Sequence, residues 1–218
     1  MTARGKLSIL ALLLAVGAIA VACLPEHIVW HQKLTLELET PSGVVSRSSV
    51  VEVSVSYFSR PDPISGNEVS YNVKGEATVV EVLPGRYLFA LLDGSEYRFE
   101  AAAQERFKGM QRGEWLRAIP RQVEPVSLKG DQIPMLATFV DISDSTSVRQ
   151  VDPNDLAATF GPGVSLKALT LEITNEPVTR GHLLGWLDRY PETPLLEVIS
   201  PTDFSFEAQL RQGSFIRR

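Results

Sequence analysis

Lys33-Leu34-Thr35-Leu36-Glu37-Leu38-Glu39 alternates strictly, with leucines at 34, 36 and 38 and polar side chains between them. Successive side chains of an extended strand point to opposite faces. The stretch therefore predicts a strand with one face on a core and the other in water. Thr40-Pro41-Ser42-Gly43 follows as a turn, in which proline presets φ and glycine supplies a positive φ. Val51, Val53, Val55 and Tyr57 then alternate with Glu52, Ser54 and Ser56, as a second strand pairing with the first.

The period-two pattern continues downstream. Val69, Tyr71 and Val73 alternate, Gly75 marks a turn or bulge, and Ala77 to Leu83 is β-branched and apolar. Leu83-Pro84-Gly85-Arg86 has the Pro-Gly centre of a type II turn. Tyr87 to Leu92 is continuously apolar, as a strand covered on both faces would be. Residues 33–92 are thus expected to form one sheet of about five strands.

Helical signals begin at Asp93-Gly94-Ser95, where Ser95 is expected to cap a helix over Glu96 to Phe107. Phe99, Ala103 and Phe107 fall four apart as its buried stripe. Residues 109–131 are rich in Gly, Pro and charge and read as surface connections. Met135 to Ile142 reads as a buried strand. Asp152 and Pro153 read as N-cap and first residue of a short helix through Thr159, stopped by Gly161-Pro162-Gly163. That glycine-rich turn leads into the alternating Leu169, Leu171 and Ile173, so it lacks the helix N-terminus that a phosphate loop needs. A short helix over Thr179 to Leu187, and strands over Leu195 to Ile199 and Phe204 to Leu210, complete the expectation. The fold class is α+β and β-dominated. It is an antiparallel sheet or sandwich-like body with a few short helices, preceded by an N-terminal hydrophobic segment. The divisions expected are 1–25 as signal or anchor, 26–92 as the β-rich part, and 93–218 as a mixed part, with the last two separate or together as one domain.

Arg4 and Lys6 precede Leu7 to Leu24, an 18-residue run without charge that ends at Pro25-Glu26. At ~1.5 Å per residue the run spans ~27 Å, just short of a hydrocarbon core of ~30 Å. It reads as a signal sequence or a marginal membrane helix. Cys23 is the only cysteine, so the chain has no internal disulfide. Three readings of it stand. Small residues at Val21 and Ala22 resemble a bacterial lipobox, which would make Cys23 a lipid attachment point; Ala20 departs from the usual leucine. Ala20-Val21-Ala22 is also an A-x-A cleavage site. An uncut helix would keep its positive end in the cytoplasm. All three carry the body out of the cytoplasm, into a bacterial cell envelope and facing the periplasm.

"TPSGVVSRSSVVEV" (Thr40 to Val53), "GEATVVEVLPGRYLFALL" (Gly75 to Leu92) and "VDPNDLAATFGPGVSLKALTLEIT" (Val151 to Thr174) resemble an uncharacterised family of bacterial membrane-anchored or exported proteins. The resemblance implies a shared fold and an N-terminal hydrophobic segment. It implies no activity and transfers no catalytic residue. The turn at Pro84-Gly85-Arg86-Tyr87 is also similar to those of transthyretin-like or Ig-like accessory domains.

The net charge is −5, and loss of Arg4 and Lys6 with the leader takes it to −7. A mildly acidic body argues against nucleic-acid binding, which needs a clustered basic face. Six basic residues between Arg98 and Arg121 read as a solvated helix face. The histidines are His27, His31 and His182. The first two are four apart beside Trp30, which reads as an interfacial residue next to the membrane segment. His182 reads as a surface or core-edge residue. No nucleophile elbow, zinc-protease helix, P-loop or dinucleotide fingerprint occurs. Asp141, Asp144, Asp152 and Asp155 are oxygen ligands that a loop can gather around calcium, although their spacing is not that of a helix-loop-helix site. Their other role is local: aspartate caps helices and closes turns on its own backbone. No cofactor is implied. The expectation is a non-enzymatic, membrane-tethered interaction or assembly module with an envelope protein as partner. The alternative is a periplasmic envelope enzyme, hydrolytic or metal-dependent, whose site is assembled only by the fold.

Overall fold

The computed structural model describes residues 25–58, 66–144, 147–181, 183, 206 and 210–218. The run Leu7 to Leu24 with Cys23, His182, and most of the elements expected over 179–187, 195–199 and 204–210 lie outside the described residues. Among the described residues no helix is long and apolar enough to cross a membrane. The chain divides into two units. One takes its described residues from 25–28, 54–58 and 66–71, the other from 29–53 and from 72 onward. In the smaller unit Val55 is buried, the Phe58 N–H donates to the Glu68 carbonyl (2.8 Å), and Ser56 Oγ lies 3.1 Å from His27 Nδ1.

The strands are β1 (Glu26–Thr40), β2 (Gly43–Tyr57), β3 (Val69–Glu76), β4 (Thr78–Leu83), β5 (Arg86–Ala90), β6 (Val126–Ser127), β7 (Leu136–Phe139), β8 (Val148–Val151), β9 (Ser165–Thr174) and β10 (Ile216–Arg217). The helices are α1 (Ser95–Ala102), α2 (Arg112–Ala118), α3 (Leu156–Phe160) and α4 (Gln212–Phe215). The fold is β-dominated, with two antiparallel sheets and few short helices. One sheet has six strands in the order β10-β3-β2-β1-β9-β6, the other four in the order β4-β5-β7-β8.

The single five-strand sheet expected over 33–92 is therefore divided. β1 to β3 belong to one sheet and β4 and β5 to the other, with only Ala77 between β3 and β4. Local pairing is right at both hairpin turns, but β1 pairs on its far side with β9, which places Leu36 opposite Leu169 and Leu34 opposite Leu171. Alternation specifies which face is buried and not which distant strand lies alongside. β5 is enclosed as expected, with Leu88, Phe89 and Ala90 all buried.

β1 begins earlier than its pattern suggested. Trp30 and Gln32 are buried on it together with Leu36, Leu38 and Thr40. Trp30 is thus a core residue of the larger unit and not an interfacial one, and its indole N–H donates to Gln32 Oε1 (3.2 Å). The stripe Phe99, Ala103 and Phe107 is buried as expected, but α1 ends at Ala102 and a 3-10 turn covers Gln104–Phe107. Gly94, at φ 75°, occupies the N-cap instead of Ser95, which becomes the first helical residue. Residues 109–131 are more than surface connections. They contain α2 and β6, and Leu116, Ile119, Val126 and Leu128 are buried. Asp155 caps α3 in place of Asp152, its Oδ1 accepting from the Ala158 N–H (3.0 Å). Arg86 donates to the Thr159 and Phe160 carbonyls at the C-terminus of α3 and lies 5.2 Å over the Phe160 ring. A cation is favoured at that end of a helix.

Candidate functional site

Lys74, Gly75 and Glu76 end β3 and form the floor of an open cavity of about 370 Å³ in the larger unit. Gly75 has φ 138°, and a Cβ there would stand 2.9 Å from Val51 Cγ1 and 3.1 Å from the Val50 carbonyl. Only glycine combines that backbone with such close approach to the neighbouring strand. On one side, Thr179, Gly181 and Leu183 are held by four hydrogen bonds. Thr179 N–H donates to the Val50 carbonyl (2.9 Å) and Thr179 Oγ1 accepts from the Val50 N–H (2.9 Å). The buried Glu76 carboxylate accepts from the Gly181 N–H and from the Leu183 N–H (3.2 Å). On the other side β10 pairs with β3, placing Ile216 opposite Glu76 and Arg217 opposite Gly75. The Ala77 N–H donates to the Phe215 carbonyl and the Leu92 N–H to that of Ser214, both at 2.8 Å.

Four cations line this groove: Lys74, Arg180, Arg217 and Arg218. Two of them are committed. Lys74 Nζ lies 3.7 Å from Glu52, whose other oxygen is 3.7 Å from His31 Nε2. Arg217 meets Asp93 (3.4 Å) and Glu96 (3.3 Å) and donates through Nε to the Gly213 carbonyl (3.0 Å). Arg180 and Arg218 are exposed, and among the described residues neither has an ion-pair partner. A guanidinium offers a planar fork of donors that fits a carboxylate or a phosphate. The arrangement can hold an acidic group.

Behind the groove the same ion network reaches inward to Arg98, which is only 9% exposed. It donates to the Asp93 carbonyl (2.6 Å) and the Gln132 carbonyl (3.3 Å). Burial pushes its pKa down to about 10; Glu96 and Asp93 oppose that shift, and Arg217 adds to it. It remains a cation at neutral pH. The six basic residues from Arg98 to Arg121 are accordingly not one solvated face. Arg98 is interior, Arg106 binds the Glu124 and Pro125 carbonyls, and Arg112 lies over the Trp115 ring.

Of the aspartates considered for calcium, three serve their own loop through the carboxylate and Asp144 through its backbone. Asp141 Oδ1 accepts from the Ser143 N–H (2.8 Å), and the Asp144 carbonyl from Ser147 Oγ (2.7 Å). Asp152 Oδ1 accepts from the Asn154 N–H (2.8 Å), and Asp155 caps α3. Among the described residues no three His, Cys, Asp or Glu gather as a metal-holding group. His31 Nδ1 lies 2.7 Å from the Glu176 carbonyl. Lys33, also on β1, donates to Glu176 (2.6 Å), which raises its pKa; partial burial works against this, and Glu172 at 3.6 Å adds to it.

Sequence reading missed the groove because its parts lie about a hundred residues apart. The one local signal was Gly75-Glu76, a glycine and an acid at the end of an alternating strand. Compared with known proteins, the chain matches no family model, no curated protein and no solved structure.

Proposed function

We propose that the chain is a non-enzymatic interaction module of a bacterial cell envelope, tethered at its N-terminus with its body facing the periplasm, and that it grips an acidic group of a partner protein in the Arg180–Arg218 groove. The observation that carries the reading is the pair of exposed guanidiniums, without an ion-pair partner among the described residues, that line the cavity with Gly75 and Glu76. Complementary charge across an interface sets partner choice more than raw affinity. The address rests on Arg4, Lys6 and the uncharged run to Leu24, supported by the resemblance of the body segments to membrane-anchored or exported proteins. β1 starts at Glu26, so the body would follow the tether directly.

The test uses the full chain in cells, beside a variant carrying Arg180→Glu and Arg218→Glu. Both are expected in the envelope membrane fraction, and a species chemically cross-linked to the wild type is expected to disappear from the variant. Wild type in the cytosolic fraction, or the same cross-links from both chains, overturns the proposal. An N-terminal peptide beginning at Cys23 with acyl mass would identify the tether as lipid. Equal membrane retention of Cys23→Ser would identify it as an uncut helix.

A further inference from the structure

Ser95 is 4% exposed, and its Oγ is buried without a hydrogen-bond partner among the described residues. An orphaned hydroxyl in the interior costs about 1–3 kcal/mol, so it calls for a physical account. Ser95 lines a small pocket of about 20 Å³ together with the polar residues Gln32, Ser49, Thr78 and Arg98 and with apolar side chains such as Leu34, Val51 and Leu171. These polar groups come from three places: β1 and β2 of the larger sheet, β4 of the smaller, and α1.

Each neighbour has hydrogen-bonding capacity left over. Ser49 Oγ and Thr78 Oγ1 are 2.6 Å apart, so one hydroxyl proton lies between them and the other is available. Gln32 accepts from Trp30 at Oε1 and donates one Nε2 proton to the Ser95 carbonyl (2.8 Å), leaving its second. Roughly 10–15 Å³ of such space and two to four polar partners suffice for a buried water, whereas an apolar cavity stays dry. This cavity has the size for one water and no more.

We propose that a single internal water molecule is a fixed part of this protein. It accepts from Gln32 Nε2 and donates to or accepts from Ser95 Oγ and the Ser49–Thr78 hydroxyl pair. It thereby links the Ser95 hydroxyl of α1 to the Ser49–Thr78 contact, which already bridges the two sheets. The site shares no lining residue with the groove.

A crystal structure of the full chain tests this directly. A solvent peak within hydrogen-bond distance of Ser95 Oγ and of the Ser49–Thr78 pair is expected; an empty cavity overturns the proposal. A double-mutant cycle between Ser95→Ala and Thr78→Val gives a second reading that does not require crystals. The two side chains share no direct hydrogen bond; because residues around one pocket can also couple through its volume, the solvent peak establishes the water and the cycle can only overturn it. Through the water, the unfolding constant of the double variant is expected to depart more than about twofold from the product of the singles. Independent effects overturn the proposal.

Discussion

Phe89, Phe139 and Phe215 meet near one end of the smaller sheet. Phe89 stands edge-on to both others, with centroids 5.5 and 5.6 Å apart, and Phe139 and Phe215 are 5.9 Å apart. Gln32 and Arg98 also lie buried in the same unit, but they are held by hydrogen bonds to particular carbonyls, those of Ser95, Asp93 and Gln132. The aromatic cluster depends on volume and shape; the polar seam depends on every group finding its partner. Both regions hold the C-terminal segment, the first through Phe215 and the second through the Asp93–Arg217 pair. The lesson is that the groove's wall, β10, has two independent anchors, one tolerant of apolar substitution and one not.

The comparison can be broken at its strong end. Phe89→Ala is expected to cost about 3–5 kcal/mol, because it opens a cavity facing two rings, whereas Phe89→Leu is expected to retain most of that stability. Chemical denaturation measures both. Equal losses would mean that the cluster is not held by volume. Arg98→Met, close in size but unable to bond the Asp93 and Gln132 carbonyls, is expected to cost about 2 kcal/mol. A neutral result would place the polar seam in the tolerant class with the aromatic one. Gly75→Ala sharpens the contrast at the groove floor, with an expected loss of about 1–3 kcal/mol from strained backbone and the contact with Val51.

The smallest effect is expected outside both regions. Lys33 is bonded to Glu176 near the surface, and Lys33→Met should change stability within about 0.5 kcal/mol at neutral pH. Its pKa is raised in the folded chain, first by the Glu176 hydrogen bond. The contribution is therefore fully present below the ordinary lysine value and lost as pH rises through the higher folded value. Stability measured against pH in that alkaline window should fall less in Lys33→Met than in the wild type.

The same contrast explains how much was legible in the sequence. Leu36, Leu38, Val51 and Val53 announce their strands because apolar and polar residues alternate without exception. At the start of β1 the pattern is inverted: Gln32 points inward and Val29 is half exposed, so clean alternation begins only at Lys33. A buried glutamine is intelligible only once Trp30 and Ser95 stand beside it. α1 shows the same effect at its cap, where the positive φ of Gly94 displaced Ser95. β6 is two residues long and carries no period of its own, and it forms because β9 offers Leu171 and Thr170 as partners. The groove was the least legible part, since Arg180 and Arg218 are ordinary surface cations until β3 places Gly75 and Glu76 between them.

Site-specific photo-cross-linking in intact cells tests the central claim most directly, with the photoreactive residue placed once at position 180 and once at Arg47, an exposed position of β2. The account predicts a discrete protein adduct from position 180 that is lost when Arg218→Glu is added, and none of that mass from position 47. An adduct of the same mass and yield from both positions, or one indifferent to Arg218→Glu, would contradict it.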